Sequence, residues 1–478
     1  MGQLPSVKKN FLWNFLCAGS NVVFPLLMFL YAARILKAES IGKVDFAVTF
    51  VNYFIMFASL GIPTYGIREC AAVRDNRHKL SKVVQELVLI NVITTFFVSL
   101  IFLCTIFFVT RLNQEFVLYL ITGINLILNP FGINWLYSAL EDYRYIAIRT
   151  ILFKLCSLIL VFVMIHSAGD YLFYAIINVI SISGVNILNF LHSRKYVSYY
   201  KIQLEIKPHI KPILTFFATS VAISFYANLD ILMIGFWSGD AQVGYYSAAL
   251  KIRATAATVV TILSTVILPR LSYYAQNKKH KEFDCLLKKS FNYAVLTAMP
   301  LTLFFSICSS DSVILLAGAE FKNAGTVLLF LMPTVLFAGL SNVTGTQLLV
   351  PYGNENKLLI SIIAGAVIDI ILNTILIPKY AAKGAAVATS ITELVVLLVQ
   401  IIMSVKYIHC IVDCRTIASG VIASIISGVF LLLLNITSIE NLFMQMSIKF
   451  ILFMGCYLLL LILFANPFVM NILKERKI

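Results

Sequence analysis

The sequence predicts an all-α polytopic membrane protein: 14 spans, arranged as two six-helix lobes in parallel pseudo-repeat around a central cavity, with two further helices at the C-terminus. Three observations predict it. Of 478 residues, 60% are hydrophobic and 12% charged, against roughly half and a quarter in soluble domains, and the mean hydropathy is +0.91. Apolar runs of about 20 residues, enough to cross about 30 Å of hydrocarbon, recur along the whole chain. A segment near residue 40 also has a counterpart near residue 240. Fourteen spans at about 20 residues each would consume nearly the whole apolar stock, which leaves little for a soluble domain. A secreted, fibrous or disordered chain is excluded on the same ground.

The spans are predicted at 11–33, 44–62, 84–109, 116–139, 147–166, 171–191, 213–237, 243–268, 291–310, 325–350, 358–378, 383–405, 416–435 and 443–465. Each break carries charge or turn residues, such as Ser238-Gly-Asp240 and Pro351-Tyr-Gly-Asn354. The first run is too long for a signal-peptide core and includes Asn14 and Asn21, so it reads as an uncleaved span. Pro25, Pro130, Pro300 and Pro333 fall within spans and predict bends there.

The net charge of +15 would suggest nucleic acid in a soluble chain, but the bases sit in short breaks between apolar runs. With the N-terminus inside, 27 of the 37 Lys and Arg residues fall on the inner side. That asymmetry predicts a multi-pass chain with both termini cytoplasmic. No outer loop exceeds about 20 residues, so an enzyme joining sugars on the outer face lacks a catalytic loop there; the chain is expected not to be an enzyme. Nine scattered cysteines without a C-x-x-C give neither a metal site nor a disulfide framework. No cofactor is expected.

The domain reading is 1–191 as an N-lobe of spans 1–6, 192–212 as a basic cytoplasmic linker, 213–405 as a C-lobe of spans 7–12, and 406–478 as the C-terminal helix pair and tail. The repeat shows at Leu36-Lys-Ala-Glu-Ser-Ile-Gly42 and Trp237-Ser-Gly-Asp-Ala-Gln-Val-Gly244, whose glycines lie 202 residues apart. A parallel repeat about an axis along the membrane normal accounts for both. Within the inner loop 270–291, Phe283, Leu286, Leu287 and Phe291 share one helical face among lysines. That predicts a helix lying on the anionic inner leaflet, with plain topogenic charge as the alternative.

Charged groups in mid-membrane cost about 2.5–3.5 kcal/mol each on the insertion scale, so they normally face a bundle interior or a wet cavity. At 1.5 Å per residue, Asp230, Asn373 and Thr389 lie about 8–10 Å from the outer end of their spans, with Asp369 and Glu393 about one turn deeper. Asp369/Asn373 and Thr389/Glu393 are i, i+4 pairs on shared faces. Oxygen ligands at one level suit a sodium ion or a proton; the alternatives are helix–helix glue or ion pairing with Lys251 or Arg253. The bases Arg34, Arg68, Lys154, Lys251 and Arg253 suit an anionic headgroup, above all a diphosphate. Arg34 and Arg68 could instead snorkel to the bilayer surface.

Four motifs then carry a resemblance: Trp135-Leu-Tyr-Ser-Ala-Leu-Glu-Asp-Tyr-Arg144, Leu229-Asp-Ile-Leu-Met-Ile-Gly-Phe-Trp237, Val243-Gly-Tyr-Tyr-Ser-Ala-Ala-Leu-Lys251, and Asn373-Thr-Ile-Leu-Ile-Pro-Lys-Tyr380 followed by Gly384-Ala-Ala. In this order the chain resembles a bacterial polysaccharide (O-antigen or capsule) flippase of the Wzx type, in the superfamily of multidrug/toxin extruders and lipid II flippases. The resemblance implies translocation of undecaprenyl-diphosphate-linked oligosaccharide from the inner to the outer leaflet by cation-coupled alternating access. It implies a Na+ site at Asp230, Asp369, Asn373 and Thr389 with the Ala385 carbonyl. The acid and amide of the eleventh span stand in swapped order relative to lipid II flippases, which leaves the coupling ion open between Na+ and H+. Expected partners are the lipid-linked oligosaccharide, membrane lipids, and polysaccharide polymerase or chain-length machinery; nucleic acid is not one. The rival readings are a multidrug/toxin extrusion-type cation antiporter, which would want acids rather than bases for its cationic substrates, and a membrane glycosyltransferase, polymerase or ligase.

Overall fold

The computed structural model describes residues 7–199, 204–408, 413–434 and 440–475. The chain ends, to which the charge count assigns a cytoplasmic side, fall partly outside these residues, as do 200–203 of the linker. Among the described residues every regular element is helical. The long helices are α1 (Val7–Ser59), α2 (Arg77–Phe108), α3 (Phe116–Leu128), α4 (Tyr143–Met164), α5 (Tyr171–Ser193), α6 (Lys207–Ser238), α7 (Asp240–Gln276), α8 (His280–Ile307), α9 (Ala324–Leu349), α10 (Glu355–Tyr380), α11 (Ala382–Ile408), α12 (Cys414–Leu433) and α13 (Leu442–Leu463). Twelve of them are long and apolar enough to cross a membrane. Large apolar side chains point outward, with Phe96, Phe97 and Phe108 60%, 59% and 78% exposed. This is a multi-pass membrane protein, whose outer surface is solvated by lipid rather than water.

Two places account for the difference between 14 expected spans and 12. The first predicted pair is one continuous segment, α1, broken only at Lys37, where φ is 65° and ψ 177°. The fourth predicted span is short: α3 ends at Leu128, a 3-10 turn carries Pro130, and a separate helix runs Asn134–Ala139. Pro333 likewise starts a new segment within α9, which ends as a π-helix over Asn342–Leu349. Pro25 and Pro300 lie inside helices that continue through them.

The 202-residue offset between the repeat segments carries Lys37 onto Gly239. Gly239 has φ 90° and ψ 171°, the same rare conformation as Lys37. This region is essentially reserved for glycine and costs another residue about 1–3 kcal/mol. Two aligned positions thus break their helices in the same way.

The chain divides into two compact units, Met1–Leu232 and Met233–Ile478, and the division falls within α6. In the first unit, α1 packs against α4, α3 and α2. Its connection to the short helix Ile62–Ala72 passes through Gly61 at φ +77°, where a Cβ would sit 2.6 Å from the Phe217 backbone nitrogen. Only glycine allows both that turn and that approach. In the second unit, α10 and α11 form the closest helix pair and α8 packs on α7, α9 and α12.

The predicted surface helix at 270–291 is corrected. Residues 280–291 are the first turns of the membrane helix α8. Phe283 and Leu287 are fully buried, and Phe283 packs on Tyr352 at 4.9 Å between ring centroids. The apolar face meets protein, not lipid, because α8 continues straight into the bundle. Lys278, Lys279, Lys281 and Lys289 of that segment stay exposed.

Candidate ion-coupling and headgroup sites

Helices α10 and α11 are joined through one residue, Ala381, at φ 51°. Beside it, a Cβ on Gly384 would lie 2.3 Å from the Leu376 carbonyl oxygen, so glycine lets the two backbones touch. From that point two buried stripes run antiparallel. Asn373, Asp369, Gly365 and Ser361 repeat every four residues on α10. Ala385, Thr392, Val396, Gln400 and Ser404 answer them on α11. The period of about 3.6 residues keeps each stripe on one face.

The polar rungs fall in register. The Asn373 amide donates to Asp369 Oδ2 at 2.8 Å, and the Thr392 hydroxyl donates to Asp369 Oδ1 at 3.2 Å. Further along, Gln400 Nε2 donates to Ser361 Oγ at 3.1 Å. Asp369 is 2% exposed and Asn373 fully buried. A buried carboxylate held by an amide and a hydroxyl is a satisfied one. On the next face, Thr389 donates to the Ala385 carbonyl at 2.8 Å and meets the Tyr246 hydroxyl of α7 at 3.1 Å.

Glu393 has a different partner from the other expected ion ligands. Its Oε1 accepts from Arg253 Nη2 at 2.9 Å, and Arg253 Nε donates to Thr334 Oγ1 at 2.8 Å. The structure therefore joins one residue expected at the cation site to one expected at the headgroup site. Lys251, two residues away on α7, is half-buried.

In the first unit, Asp230 is 5% exposed on α6. Lys154 is half-buried and donates to Asn21. Arg34 is exposed. Arg68 is exposed too, on the short helix Ile62–Ala72; it bonds Glu69 at 3.1 Å and covers the rings of Tyr65 and Phe216 at 5.3 and 5.4 Å.

Two polar constellations of this unit escaped the sequence reading. Arg149, 4% exposed, donates to Asn134 and Asn189 and lies over Tyr137 and Tyr145. Sequence logic counted it as a topogenic charge; the amide- and aromatic-rich Asn134-Trp-Leu-Tyr137 upstream was the available signal. The second is His209, whose Nε2 meets Glu86 at 2.9 Å while its Nδ1 meets the Tyr65 hydroxyl at 2.8 Å. With Nε2 protonated, the ring donates to Glu86 and accepts from Tyr65. The Glu205 amide also donates to Glu86, at 2.7 Å. Lys82 stands 2.8 Å from the Glu205 carboxylate and holds that acid below its ordinary pKa. The end of the expected linker is thus fastened to α2. A lone acid near the start of an apolar run was the signal at Glu86.

A family described as "Polysaccharide biosynthesis protein" matches residues 7–275. The chain belongs to that family. The resemblance to Wzx-type flippases drawn from the motifs holds. The chain is 25% identical over 411 residues to a Shigella dysenteriae protein named for O-antigen transport, covering 82% of this chain and 98% of the relative. It is 23% identical over 406 residues to the capsular polysaccharide biosynthesis protein CapF of Staphylococcus aureus, covering 82% and 97%. Its fold is similar to that of the lipid II flippase MurJ in an inward closed conformation, with a TM-score of 0.76 at 17% identity over 97% of this chain and all of that one. The chain therefore shares its fold with that flippase, and the two relatives are named for O-antigen transport and for capsular polysaccharide biosynthesis.

Proposed function

We propose that this protein translocates undecaprenyl-diphosphate-linked oligosaccharide from the inner to the outer leaflet of the bacterial cytoplasmic membrane, for surface polysaccharide synthesis, by cation-coupled alternating access. Fourteen crossings fit this reading if the two arms of α1 and the short stretch at 116–131 each count as one. Both termini then lie in the cytoplasm.

The observation that carries the proposal is the Asp369–Asn373–Thr392 rung, buried within membrane-spanning helices of a chain in this family. An intramembrane acid is costly to keep and is by default a candidate functional group. Asp369, Asn373, Thr389, the Ala385 carbonyl and Asp230 are assigned to the coupling ion, Na+ or H+; these hard oxygen donors suit either. Glu393, already paired with Arg253, adjusts the field around that group. The anionic headgroup is assigned to Arg34, Arg68 and Lys154 of the first unit and to Lys251 and Arg253 of the second. Each would offer charge-assisted hydrogen bonds to the diphosphate. A membrane potential supplies about 2.3 kcal/mol per charge per 100 mV to drive the cycle. The polymerase or chain-length machinery would receive the product.

The test is complementation of a strain lacking its own O-unit flippase. Lys154→Ala and Lys251→Ala are expected to abolish surface polysaccharide while membrane levels of the protein stay normal. Normal polysaccharide in both variants would refute the headgroup assignment. Drug resistance in a sensitised host, without rescue of polysaccharide, would favour the multidrug reading instead.

A further inference from the structure

The last turns of α9 hold a conformation that the assigned ion and headgroup residues do not explain. Eight consecutive residues, Asn342–Leu349, are wound as a π-helix, a form found mostly as single-turn insertions in α-helices and frequently at functional sites. Two buried polar sets hold it. In the first, Gln400 of α11 accepts from Ser341 and Thr344 at 2.9 and 2.8 Å and donates to Ser361 of α10 at 3.1 Å. Its amide lies on Gly345, where a Cβ would stand 3.0 Å from Gln400 Nε2. In the second, Gln347 donates to Ser264 of α7 and, at 3.3 Å, to Asn342, and Ser264 donates to Asn342. Gln347 is 1% exposed, and its side-chain oxygen has no hydrogen-bond partner among the described residues.

The two sets make different demands on the winding. Ser341 and Thr344 are three residues apart and share a face in an ordinary α-helix. Asn342 and Gln347 are five apart. At 3.6 residues per turn they would stand about 140° from each other around the axis, so their contact needs the wider π turn. In an α-helix the residue stacked on Asn342, four positions on, is Thr346. The sequence thus offers Asn342 and Ser264 a polar partner in either winding, the Gln347 amide in one and the Thr346 hydroxyl in the other. The π form leaves the Gln347 oxygen unsatisfied in the bundle and closes its backbone ladder with a long bond, Val350 N to the Gly345 carbonyl at 3.4 Å. The α form would tighten that ladder and give up the Gln347 bonds. Each winding carries a cost that the other avoids, which is the balance a two-state element requires.

We infer that residues 345–349 exchange between π and α winding as a switch in the transport cycle. Gln400 fixes the turn above, and either Gln347 or Thr346 faces Ser264 on α7. Closing one turn with one residue fewer rotates everything after it by about 100°. The exchange therefore turns the connection 351–354 that leads into α10, at the end of α9 that the charge asymmetry places toward the cytoplasm. The role of the switch rests on the transport reading; its two windings do not.

Cysteine pairs read the winding in the full chain, held in lipid nanodiscs. Under mild oxidant Ser264→Cys/Gln347→Cys joins in the π form and Ser264→Cys/Thr346→Cys in the α form, and both pairs are expected to join, with the disulfides located by peptide mapping. Joining by the 347 pair alone, or by neither pair, overturns the proposal. In vesicles supplied with a fluorescent short-chain polyprenyl-diphosphate disaccharide, each joined form is expected to lose transport and to regain it on reduction. A joined form that still transports like the parent overturns the switch. If both pairs join but no form moves the lipid, reduced or parent, the transport reading fails and the exchange of windings stands. The parent chain gives a check that needs no substitution. Because each exchange breaks their hydrogen bonds, amides 346–350 should take up deuterium at least about tenfold faster than amides 334–341; equal protection of the two stretches overturns the exchange.

Discussion

Arg253 and Glu393 offer the sharpest test of how this bundle tolerates charge. At 2.9 Å and an effective dielectric of about 20, their attraction is about 6 kcal/mol. Removing each ion from water costs several kcal/mol, so the net worth of the intact pair is small. Single replacements are a different matter, because the surviving charge keeps its desolvation cost and loses its partner. The two side chains are 19% and 10% exposed, and Arg253 keeps Thr334 while losing Glu393. Arg253→Met and Glu393→Leu are therefore each expected to destabilise by about 3 kcal/mol, the low end for a buried pair. Arg253→Met/Glu393→Leu should return to within about 1 kcal/mol of the parent. In detergent, at about 2 °C per kcal/mol for large domains, each single variant should lose about 6 °C of apparent Tm and the double variant no more than about 2 °C. Additive shifts, with the double variant the least stable of the three, would refute the reasoning, since they would mean that the two charges do not compensate each other.

Gly384→Ala places a methyl 2.3 Å from a backbone carbonyl that no rotamer change can move. It should force α10 and α11 apart, weaken the Thr392–Asp369 rung and cost about 1–3 kcal/mol; an unchanged Tm and full complementation would contradict that. Lys37→Gly and Gly239→Ala should move stability in opposite directions. The first relieves about 1–3 kcal/mol of strain, less about 0.5–1 kcal/mol of chain entropy, whereas the second introduces strain at a position with open space around its Cβ. Thermal unfolding of both variants checks the sign, and a loss in Lys37→Gly equal to that in Gly239→Ala would mean the two breaks are not equivalent.

Much of this protein is legible from local periodicity. Hydropathy measures whether a run can cross a bilayer, so α2, α10 and α11 fall close to where the sequence puts them. The i, i+4 spacing of Asp369 and Asn373 fixes a shared face, and the structure joins them directly. The offset between Gly42 and Gly244 foreshadowed matching breaks at Lys37 and Gly239. Which faces meet is another kind of information. Glu393 carries the same i, i+4 signal as Asp369, yet it turns to Arg253, 140 residues away. Phe283 and Leu287 read equally well as a lipid-facing stripe or a protein-facing one, and only the packing of α8 decided between them. Arg149 reaches Asn189, 40 residues away, as well as the nearby Asn134, and the Tyr65–His209–Glu86 chain draws its members from elements far apart in sequence, so a local window shows the polar residues but not how they pair. A helix's own faces follow from its 3.6-residue period, which is written locally; the partner of each face follows from how whole helices stack and slide against one another, which is settled only when the tertiary structure closes.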